Sequence, residues 1–452
     1  MKTFSIFLLI YLVISPAIAV PMYKVDVVDR LCDAAFNRDN FNTEYTKSMF
    51  PLILDSDGWM TGGKRELATD FTKEDMQNFK RFIESVEKRY NATVIIAQTP
   101  PRTLEHQRWE NGDYRSKQLL QQQYQAILSM YRQAGIHAPD LSLGIDNVTP
   151  SYFFKRDLHW RPEGARHAAI IIADYIREKK LLTELVSHDS NYTTAMVGER
   201  QLPNSSFNKV LDSVCGYSFI NETSARYETT SSIEGDLFAS NEPDIFMIGT
   251  SFSKLSHYNF EGFLKESLQR DVANLAESGG QEFGAWLELF NHTQEPNPAK
   301  KIIIWELLSY YNPTKYNNLQ HLIPMSNNGC QDKKKLSRFS TSIKDGQKSE
   351  LIFDTNLLKY HPSQLVVDLD TGVSDTKALK LRVWHESGHK NKFNLSATAN
   401  KHRNGRFVFE LGPKHSDKLG KFIAVDLIDI DFGSSPVTQI SGSVCLDTSR
   451  GA

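Results

Sequence analysis

A change of pattern near residue 328 limits the folds that this chain of 452 residues can adopt. Before it, helix-like segments alternate with short apolar runs. Thr72-Lys73-Glu74-Asp75 has the form of a capping box, and apolar residues recur every three or four positions from Met76 to Tyr90, which predicts an amphipathic helix. The short run at residues 93–97 (Thr-Val-Ile-Ile-Ala) is typical of a strand buried on both faces of a parallel sheet. Helix followed by strand is the unit of an α/β fold.

The same alternation continues along the chain. Apolar residues from Leu120 to Tyr131 predict a second helix that stops at Gly135, and Pro162 opens a third. Residues 245–248 and 301–305 are two further apolar runs of strand length. Together these segments predict an α/β domain with a doubly wound sheet.

Beyond Cys330 the pattern becomes that of antiparallel strands. In residues 379–384 (Leu-Lys-Leu-Arg-Val-Trp) apolar and polar side chains alternate at period two. Similar short runs occur at residues 365–367, 407–409 and 422–430. This predicts a β-sandwich of about a hundred residues. We expect the boundary between Pro324 and Lys335, with an α/β domain at 20–328 and a β-sandwich domain at 329–452.

The first apolar run predicts export. Lys2 precedes the apolar residues 4–14, and Pro16 is followed by Ala17-Ile18-Ala19, so residues 1–19 are expected to be a signal peptide that is removed. Removal leaves 452 − 19 = 433 residues and, with the loss of Lys2, a formal charge of about −3. No later stretch has the roughly 18 apolar residues of a membrane span, and the absence of Cys at the cleavage site disfavours a lipoprotein. We expect a soluble exported protein.

The charge balance argues against nucleic acid as a partner. Lys and Arg number 52 and Asp and Glu number 54, so the formal net charge is −2 and there is no basic excess. An acidic ligand must therefore be bound by a local basic patch.

Four cysteines in an exported chain are expected to form disulfides, because an oxidising compartment favours them and no C-x-x-C spacing for zinc is present. Three pairings are possible. Cys32 and Cys215 lie in the first two-thirds of the chain, whereas Cys330 and Cys445 bracket the last segment. We favour the pairs 32 with 215 and 330 with 445, which would cross-link the two domains separately.

Ser251 is a candidate nucleophile in the segment Gly249-Thr250-Ser251-Phe252-Ser253. A strand that ends in Gly-x-Ser projects the hydroxyl at a tight turn and leaves the next backbone N–H groups available to stabilise an oxyanion. Small residues after a strand are also common as a simple turn or helix cap. The segment alone leaves both interpretations open.

Asp157-Leu158-His159-Trp160 lies just before the helix that Pro162 opens. An Asp two residues from a His can fix the imidazole tautomer through one ring nitrogen and leave the other to take a proton from a serine. A structural alternative has Asp157 at the helix entry and His159 merely packed. A metal site is disfavoured, because neither an H-E-x-x-H pair nor a carboxylate cluster accompanies His159.

The β-rich segment contains a second candidate site, formed by Arg382, Trp384, His385 and Lys390. An indole can stack on the apolar face of a sugar ring and cations can bind carboxylates, so this mixture suits an acidic polysaccharide. Solvated strand faces have a similar composition, which is the alternative for each residue.

Several of these motifs occur together in one known family. Tyr152-Phe153-Phe154-Lys155, Asp157-Leu158-His159-Trp160 and Gly164-Ala165-Arg166 resemble the D-x-H-W region of AlgX-type alginate O-acetyltransferases, and residues 249–253 with 258–264 resemble that family's serine motif. The order Asp, His, Ser is the permuted arrangement of its SGNH-hydrolase-like domain. Further similarities are Gln98-Thr99-Pro100, Gly235-Asp236-Leu237-Phe238, Trp305-Glu306 and the four-cysteine layout, in which the family's bridges match the pairing favoured above.

The resemblance implies a role for each residue of the first site. Ser251 corresponds to the nucleophile, His159 to its general base and Asp157 to the orienting carboxylate. Tyr258 corresponds to an active-site aromatic, with a core tyrosine as the alternative. Arg102 matches an arginine that could bind a uronate carboxylate, with an ordinary surface arginine as the alternative.

The resemblance also implies the reaction and its setting. The C-terminal domain corresponds to a carbohydrate-binding module, in which Trp384 matches a family tryptophan whereas Arg382 replaces a hydroxyl residue. The implied reaction passes an acetyl group from a donor, through acetyl-serine, to mannuronate residues of alginate, without metal or cofactor. It implies the periplasm and partners among alginate export and modification proteins. A deacetylating esterase and a non-catalytic alginate-binding scaffold are the alternatives.

Overall fold

The structure is a computed structural model that describes part of the chain. The described residues are 23–25, 30–63, 70–105, 117–186, 191–202, 205–231, 243–292, 299–343, 348–396, 403–412, 419–434 and 436–447. The expected signal peptide at 1–19 and the motif at 235–238 lie outside them.

Helices and strands alternate in the first domain and give way to strands in the second. The α-helices are α1 (Glu44–Ser48), α2 (Lys73–Tyr90), α3 (Lys117–Gln133), α4 (Pro162–Glu178), α5 (Ser206–Cys215), α6 (Ser251–Lys254), α7 (Phe260–Leu268), α8 (Gly284–His292) and α9 (Tyr316–Ser326). The strands of the first domain are β1 (Tyr23–Val25), β2 (Leu52–Leu54), β3 (Met60–Gly62), β4 (Ala92–Gln98), β5 (Tyr192–Gln201), β6 (Tyr217–Phe219), β7 (Thr223–Ser231), β8 (Ile245–Ile248), β9 (Val272–Asn274) and β10 (Lys301–Leu307). The strands of the second are β11 (Lys335–Ser342), β12 (Ser349–Phe353), β13 (Leu365–Asp370), β14 (Ala378–His385), β15 (Lys390–Ser396), β16 (Arg406–Glu410), β17 (Phe422–Asp431) and β18 (Gln439–Leu446).

A four-stranded parallel sheet in the order β4-β10-β8-β9 lies at the centre of the first domain. Alternate residues of its strands pack on opposite faces. Val94 and Ile96 contact a cluster that includes α2, α8 and α9, whereas Ile95 and Ala97 contact one that includes α4 and α7. Because both faces are buried, these strands are almost wholly apolar. The predicted α/β fold is confirmed, and the three predicted strands correspond to β4, β8 and β10.

The predicted helices begin and end where local signals place them. The Thr72 side chain accepts a hydrogen bond from the Asp75 N–H at 3.1 Å, and Asp75 accepts one from the Thr72 N–H at 3.2 Å, which completes a capping box at the start of α2. Gly135, with φ of +81°, follows the end of α3, and Pro162 is the first residue of α4.

The second domain is a sandwich of two antiparallel four-stranded sheets, in the orders β11-β18-β13-β16 and β12-β17-β14-β15. Their inner faces share one apolar cluster, to which Val367, Leu381, Phe409 and Val425 belong. The predicted sandwich is confirmed, and the four predicted runs correspond to β13, β14, β16 and β17. Helix α9 ends at Ser326 and β11 begins at Lys335, an interval that contains the boundary predicted at 328–329.

The sequence did not predict the two-stranded ribbon of β5 and β7, which pair antiparallel over nine residue pairs and are separated in the chain by α5 and β6. Much of this ribbon faces solvent on both sides: Met196 and Val197 are 56% and 45% exposed. Such a strand has no buried face to impose period-two alternation.

The two domains meet through buried polar contacts. Arg81 of α2 forms ion pairs with Glu410 of β16 at 2.5 Å and with Asp447 at 3.1 Å. The Tyr316 hydroxyl of α9 donates to Glu410 at 3.0 Å, and the Glu410 side chain is fully buried. A buried charge is tolerated when it is paired and hydrogen-bonded in this way.

Two disulfides are present, and they are the favoured pairs. Cys32–Cys215 joins the segment before α1 to the end of α5, and Cys330–Cys445 joins the chain after α9 to β18. Each cross-link closes a long loop, so it restricts the unfolded chain strongly.

Candidate active site

Ser251 stands at a sharp turn at the carboxyl end of the central strand β8. Thr250 is the N-cap of α6, and its side-chain oxygen accepts a hydrogen bond from the Phe252 N–H at 3.3 Å. Gly249 is required before it, because a Cβ there would lie 2.6 Å from a carboxylate oxygen of Glu306. The strand, the glycine and the cap together direct the Ser251 side chain out of the sheet edge.

Three side chains meet at this turn in the order of a hydrolytic triad. Ser251 Oγ lies 2.8 Å from Nε2 of His159, and Nδ1 of the same ring is hydrogen-bonded to Asp157 Oδ1. With Nδ1 carrying the proton toward Asp157, Nε2 is left to accept the proton of Ser251. The geometry is that of a serine activated by an adjacent, oriented base.

A tight turn presents the Asp157–His159 pair. Phe153 and Trp160 form an antiparallel bridge, and the Phe154 N–H donates to the His159 carbonyl at 3.2 Å. The buried Trp160 indole donates to the carbonyl of Phe252 at 3.1 Å, so the turn is tied to the residue after the nucleophile.

Asp157 is held as an anion. Burial acts to raise its pKa, but the charge and hydrogen bond of His159, together with the backbone N–H groups of Ser206 and His159, outweigh it and leave the pKa well below its usual range. The His159 N–H donates to Asp157 Oδ1 at 2.9 Å, and the Ser206 N–H donates to the other oxygen. The carboxylate therefore has a fixed orientation as well as a fixed charge.

Aromatic rings enclose the imidazole. The Tyr258 ring stacks on His159 with centroids 5.2 Å apart and planes at 28°, and the Phe252 ring lies at 4.6 Å. Burial, and secondarily the charge of Asp157, raise the pKa of Tyr258, so its hydroxyl stays neutral. Tyr258 is thus buried and also in contact with the candidate base, which combines the two alternatives left open by the sequence.

A small cleft opens at the same edge of the sheet, where the strands β4 and β10 end. Its lining residues are Met49, Gly62, Thr99, Pro100, Arg102, Phe153, Leu158, Phe252, Leu308, Ser309 and Tyr310. Leu158 and Phe252 adjoin His159 and Ser251 in sequence, so the cleft borders the triad.

Arg102 borders the cleft but is not a surface residue. Its guanidinium donates to the carbonyls of Met60 at 3.2 Å, Phe154 at 2.7 Å and Lys155 at 3.2 Å, and it lies over the Trp59 ring at 5.5 Å. The side chain ties the loop that carries the triad turn to β3. Contact with a substrate carboxylate stays a prediction.

The residues predicted to bind a glycan lie together on an outer face of the sandwich. Trp384 Nε1 donates to Asp426 at 2.6 Å, while the Lys390 ammonium lies 4.2 Å and the Arg382 guanidinium 5.7 Å from its ring centroid. His385 points the other way, with 1% exposure. Three of the four residues thus share one face, and His385 is a core residue.

The family of the chain follows from comparison with known proteins. A family model described as "SGNH hydrolase-like domain, acetyltransferase AlgX" matches residues 52–309. The chain belongs to this family. A second model, "C-terminal carbohydrate-binding module", matches residues 329–452. The SGNH hydrolase-like domain of the family thus corresponds to the α/β domain, and the carbohydrate-binding module corresponds to the sandwich.

Two relatives and one solved structure each match more than half of this AlgX-family chain. The "Alginate biosynthesis protein AlgX" of Pseudomonas aeruginosa is 28% identical over 405 residues, which are 87% of this chain and 84% of the relative. The "Probable alginate O-acetylase AlgJ" of Pseudomonas putida is 26% identical over 289 residues, covering 60% of this chain and 73% of that protein. The solved structure of Pseudomonas aeruginosa AlgX superposes with a TM-score of 0.78 at 25% identity, covering 92% of this chain and all of that one.

Sequence reasoning treated Glu306 only as part of a matching motif and did not single out Tyr310. Glu306 is fully buried behind Ser251, and Tyr310 lines the cleft. A signal for Glu306 was present, because a carboxylate inside an otherwise apolar strand needs a polar partner. Tyr310 follows the strand without a comparable signal.

Two further observations concern metals and membranes. Among the described residues, no group of three or more His, Cys, Asp or Glu side chains could hold a metal ion. Within the same part of the chain, the helices lack the length and apolar character needed to cross a bilayer.

Proposed function

We propose that this AlgX-family chain is an O-acetyltransferase that acetylates mannuronate residues of alginate through an acetyl-serine intermediate. One observation carries the proposal: Ser251 Oγ lies 2.8 Å from His159 Nε2, whose ring is oriented by the buried Asp157. The description of the family and the names of its AlgX and AlgJ relatives support the choice of an acetyl group and of alginate.

The first half-reaction forms the acetyl-enzyme. His159 Nε2 takes the proton of Ser251 as Oγ attacks the carbonyl carbon of the acetyl donor. The tetrahedral intermediate collapses when the bond to the leaving group breaks, and the leaving group takes that proton from His159. The anionic Asp157 stabilises the imidazolium that exists between these two proton transfers.

The second half-reaction reverses the roles. A mannuronate hydroxyl gives its proton to His159 Nε2 and attacks the acetyl carbonyl on Ser251. The ester bond to Ser251 breaks, and Oγ recovers its proton from His159. The products are an acetylated sugar and free enzyme, so no oxidant, metal or cofactor is needed.

The sandwich domain at 329–452 would hold the polymer during this reaction. Trp384 offers an aromatic surface for a sugar ring, and the cations of Lys390 and Arg382 beside it suit uronate carboxylates. Binding a long polymer beside the catalytic domain at 20–328 raises the local concentration of acceptor hydroxyls rather than the reactivity of Ser251.

The proposed setting is the periplasm, in contact with alginate export and modification proteins. The expected signal peptide at 1–19 and the two disulfides are consistent with an oxidising, exported location.

Two other functions use the same residues. A deacetylating esterase would pass the acetyl group from Ser251 to water, and the triad serves both reactions equally well. A non-catalytic scaffold is less well supported, because it predicts no alignment of Ser251 and His159, and these lie within hydrogen-bond distance.

The decisive experiment gives mature protein an activated acetyl ester, with and without mannuronate oligosaccharides, and follows sugar and protein by mass spectrometry. We expect an acetyl group on the peptide that contains Ser251 and acetylated sugar when oligosaccharide is present. Ser251→Ala should produce neither. Ser256→Ala is the matched control, since this exposed serine lies five residues further along the same segment.

Each other outcome points to a different function. Consumption of the ester with unmodified sugar indicates an esterase. Binding of oligosaccharide without any acetyl-protein indicates a scaffold, and acetyl transfer that survives in Ser251→Ala contradicts the mechanism.

A further inference from the structure

A second buried carboxyl lies behind the nucleophile. Glu306 is near the carboxyl end of β10, the parallel neighbour of β8, and its side chain is on the face that packs against α4 and α7 with Ile302 and Ile304. Its relative exposure is 0%. A carboxyl in such a position destabilises the fold unless its hydrogen bonds are satisfied.

The hydrogen bonds of Glu306 all come from the turn that carries Ser251. Oε2 accepts from the Thr250 N–H at 2.7 Å, from the Thr250 hydroxyl at 2.9 Å and from the Ser253 hydroxyl at 3.1 Å. The partners are the residue before Ser251 and the residue two after it. One carboxyl is therefore hydrogen-bonded to the turn on both sides of the candidate nucleophile.

The backbone is shaped to admit this carboxyl. A Cβ at Gly249 would lie 2.6 Å from Glu306 Oε2, 2.9 Å from Glu306 Cβ and 2.9 Å from Ser253 Oγ. Only glycine leaves room for the strand end, the carboxyl and the hydroxyl together. Gly249, Thr250, Ser253 and Glu306 thus form one packed unit.

The donors to Glu306 are neutral, which is unusual for a buried carboxylate. Burial raises the pKa of Glu306 to about 7, while the bonds from Thr250 and Ser253 and the charge of His159 act to lower it. Among the described residues, His159 is a titratable group whose charge acts on Glu306. Near neutral pH the carboxyl is thus partly ionised, and its charge is present where an imidazolium forms.

We infer that Glu306 is a positioning residue, which holds the turn from Gly249 to Ser253 so that Ser251 Oγ stays aligned with His159 Nε2. The inference rests on the proposed nucleophilic role of Ser251. Glu306 does not contact Ser251 Oγ itself and acts through Thr250 and Ser253. A purely structural carboxyl would contribute to folding without altering the reactivity of the serine.

The first test compares Glu306→Gln and Glu306→Asp with wild type in the formation of acetyl-Ser251 from 4-nitrophenyl acetate. Glutamine keeps the shape and removes the charge, whereas aspartate keeps the charge and withdraws it from the turn. Because a small misplacement of a reacting group costs up to about a hundredfold in rate, we expect kcat to fall by about 10- to 100-fold in both, with KM within about twofold.

Glu87→Gln is the matched control. Glu87 is a half-buried carboxylate whose pKa burial raises, and it accepts the Val94 N–H at 3.0 Å near the opposite end of the same sheet. It should lose no acylation rate. Acylation by Glu306→Gln within twofold of wild type would overturn the inference, as would an equal loss in Glu87→Gln.

The second test does not depend on activity. The Thr250 N–H donates to Glu306, so its amide resonance, observed after selective ¹⁵N labelling of threonine, should shift with an inflection near pH 7 that Glu306→Gln abolishes. A Thr250 amide titration curve that is unchanged in Glu306→Gln contradicts the inference. If wild-type Ser251 forms no acetyl-enzyme, the proposed function fails, while the amide titration still decides whether Glu306 holds the turn.

Discussion

The two candidate sites of this chain are built in opposite ways. In the α/β domain, Asp157 and Glu306 are buried, and their carboxylate oxygens accept hydrogen bonds from backbone N–H groups and, for Glu306, also from a hydroxyl group. On the sandwich, Lys390 and Arg382 stand around the half-exposed Trp384 on an open strand face.

The difference concerns how each site obtains its precision. A buried site whose polar groups are mostly hydrogen-bonded has one low-energy arrangement. This suits a reaction that needs a fixed distance between Ser251 Oγ and His159 Nε2. An exposed face of cations around an indole tolerates many arrangements, which suits a ligand that need not be held at one fixed distance. Single substitutions should therefore have large effects in the first region and small effects in the second.

Asp157→Asn should have the largest effect. An asparagine preserves the shape, but its amide cannot hold the Nδ1 proton of His159 as a carboxylate does, so the wrong tautomer faces Ser251. We expect acetyl-Ser251 formation to fall by about 10⁴-fold, measured as the pre-steady-state burst with an activated ester. Asp146→Asn, an exposed partner of Lys117, is the control and should react normally. A loss of less than tenfold in Asp157→Asn would show that the base needs no carboxylate.

Removal of the disulfide Cys330–Cys445 tests the stability of the second region. Its sequence separation of 115 residues spans nearly the whole sandwich, so replacing both cysteines with alanine should lower the free energy of unfolding of this domain by about 4 kcal/mol. Trp384 is the one tryptophan after Trp305 in the sequence. Urea unfolding followed by ¹⁹F NMR of 5-fluorotryptophan therefore reports the sandwich separately.

The matched control is the double alanine variant of Cys32–Cys215. It should lower the urea midpoint reported by the tryptophans of the first domain and leave the midpoint reported by Trp384 unchanged. If each variant lowers the urea midpoint of all six tryptophan resonances equally, the two domains unfold as one unit, held together by contacts such as that of Arg81 with Glu410.

Much of the fold was predictable because burial imposes a pattern on the sequence. Residues 93–97 read as a buried strand since both faces of β4 are covered. The β5–β7 ribbon was not predictable, because solvent on both sides removes the alternation that identifies a strand. Likewise, nothing near Arg102 in sequence indicates that its guanidinium turns inward, since its partner carbonyls lie 42 to 53 residues away.

The candidate site was predictable in part for a similar reason. Asp157 and His159 are two residues apart, so their pairing is visible locally. Ser251 is 92 residues from His159 and joins them only through the fold, so resemblance to a family connected the motifs. Glu306 shows the limit, because its partners Thr250 and Ser253 lie in the turn after the neighbouring strand β8, and only the register of the sheet brings that turn close to Glu306.

Glu306→Gln should reveal how far ionisation of the buried carboxyl lowers the free energy of unfolding. Its pKa is about 7, against an ordinary value of 4.5, so stability associated with the protonated form is complete below about pH 4.5 and is lost as pH rises through 7. The difference corresponds to about 3 kcal/mol. Relative to its value at pH 4.5, the variant should therefore lose about 3 kcal/mol less unfolding free energy by pH 8 than wild type does. Parallel pH dependences of the two proteins, measured by urea denaturation, would show that Glu306 has the same pKa in the folded and unfolded states.

Trp384→Ala should have the smallest of these effects and should be confined to the polymer. Loss of a stacking ring costs about 1.4 kcal/mol, so the Kd for mannuronate oligosaccharides should rise about tenfold by calorimetry, while acetyl-Ser251 formation from a small ester stays within twofold. Trp384→Phe keeps the ring and gives up the bond to Asp426, so it should retain most of the affinity. If alanine slows acylation by the small ester, the sandwich and the triad are coupled, and the division between a rigid reacting site and a tolerant binding face is wrong. If alanine leaves the Kd unchanged, the Trp384 indole does not contact the oligosaccharide, and the polymer must be bound by the cations around it or elsewhere.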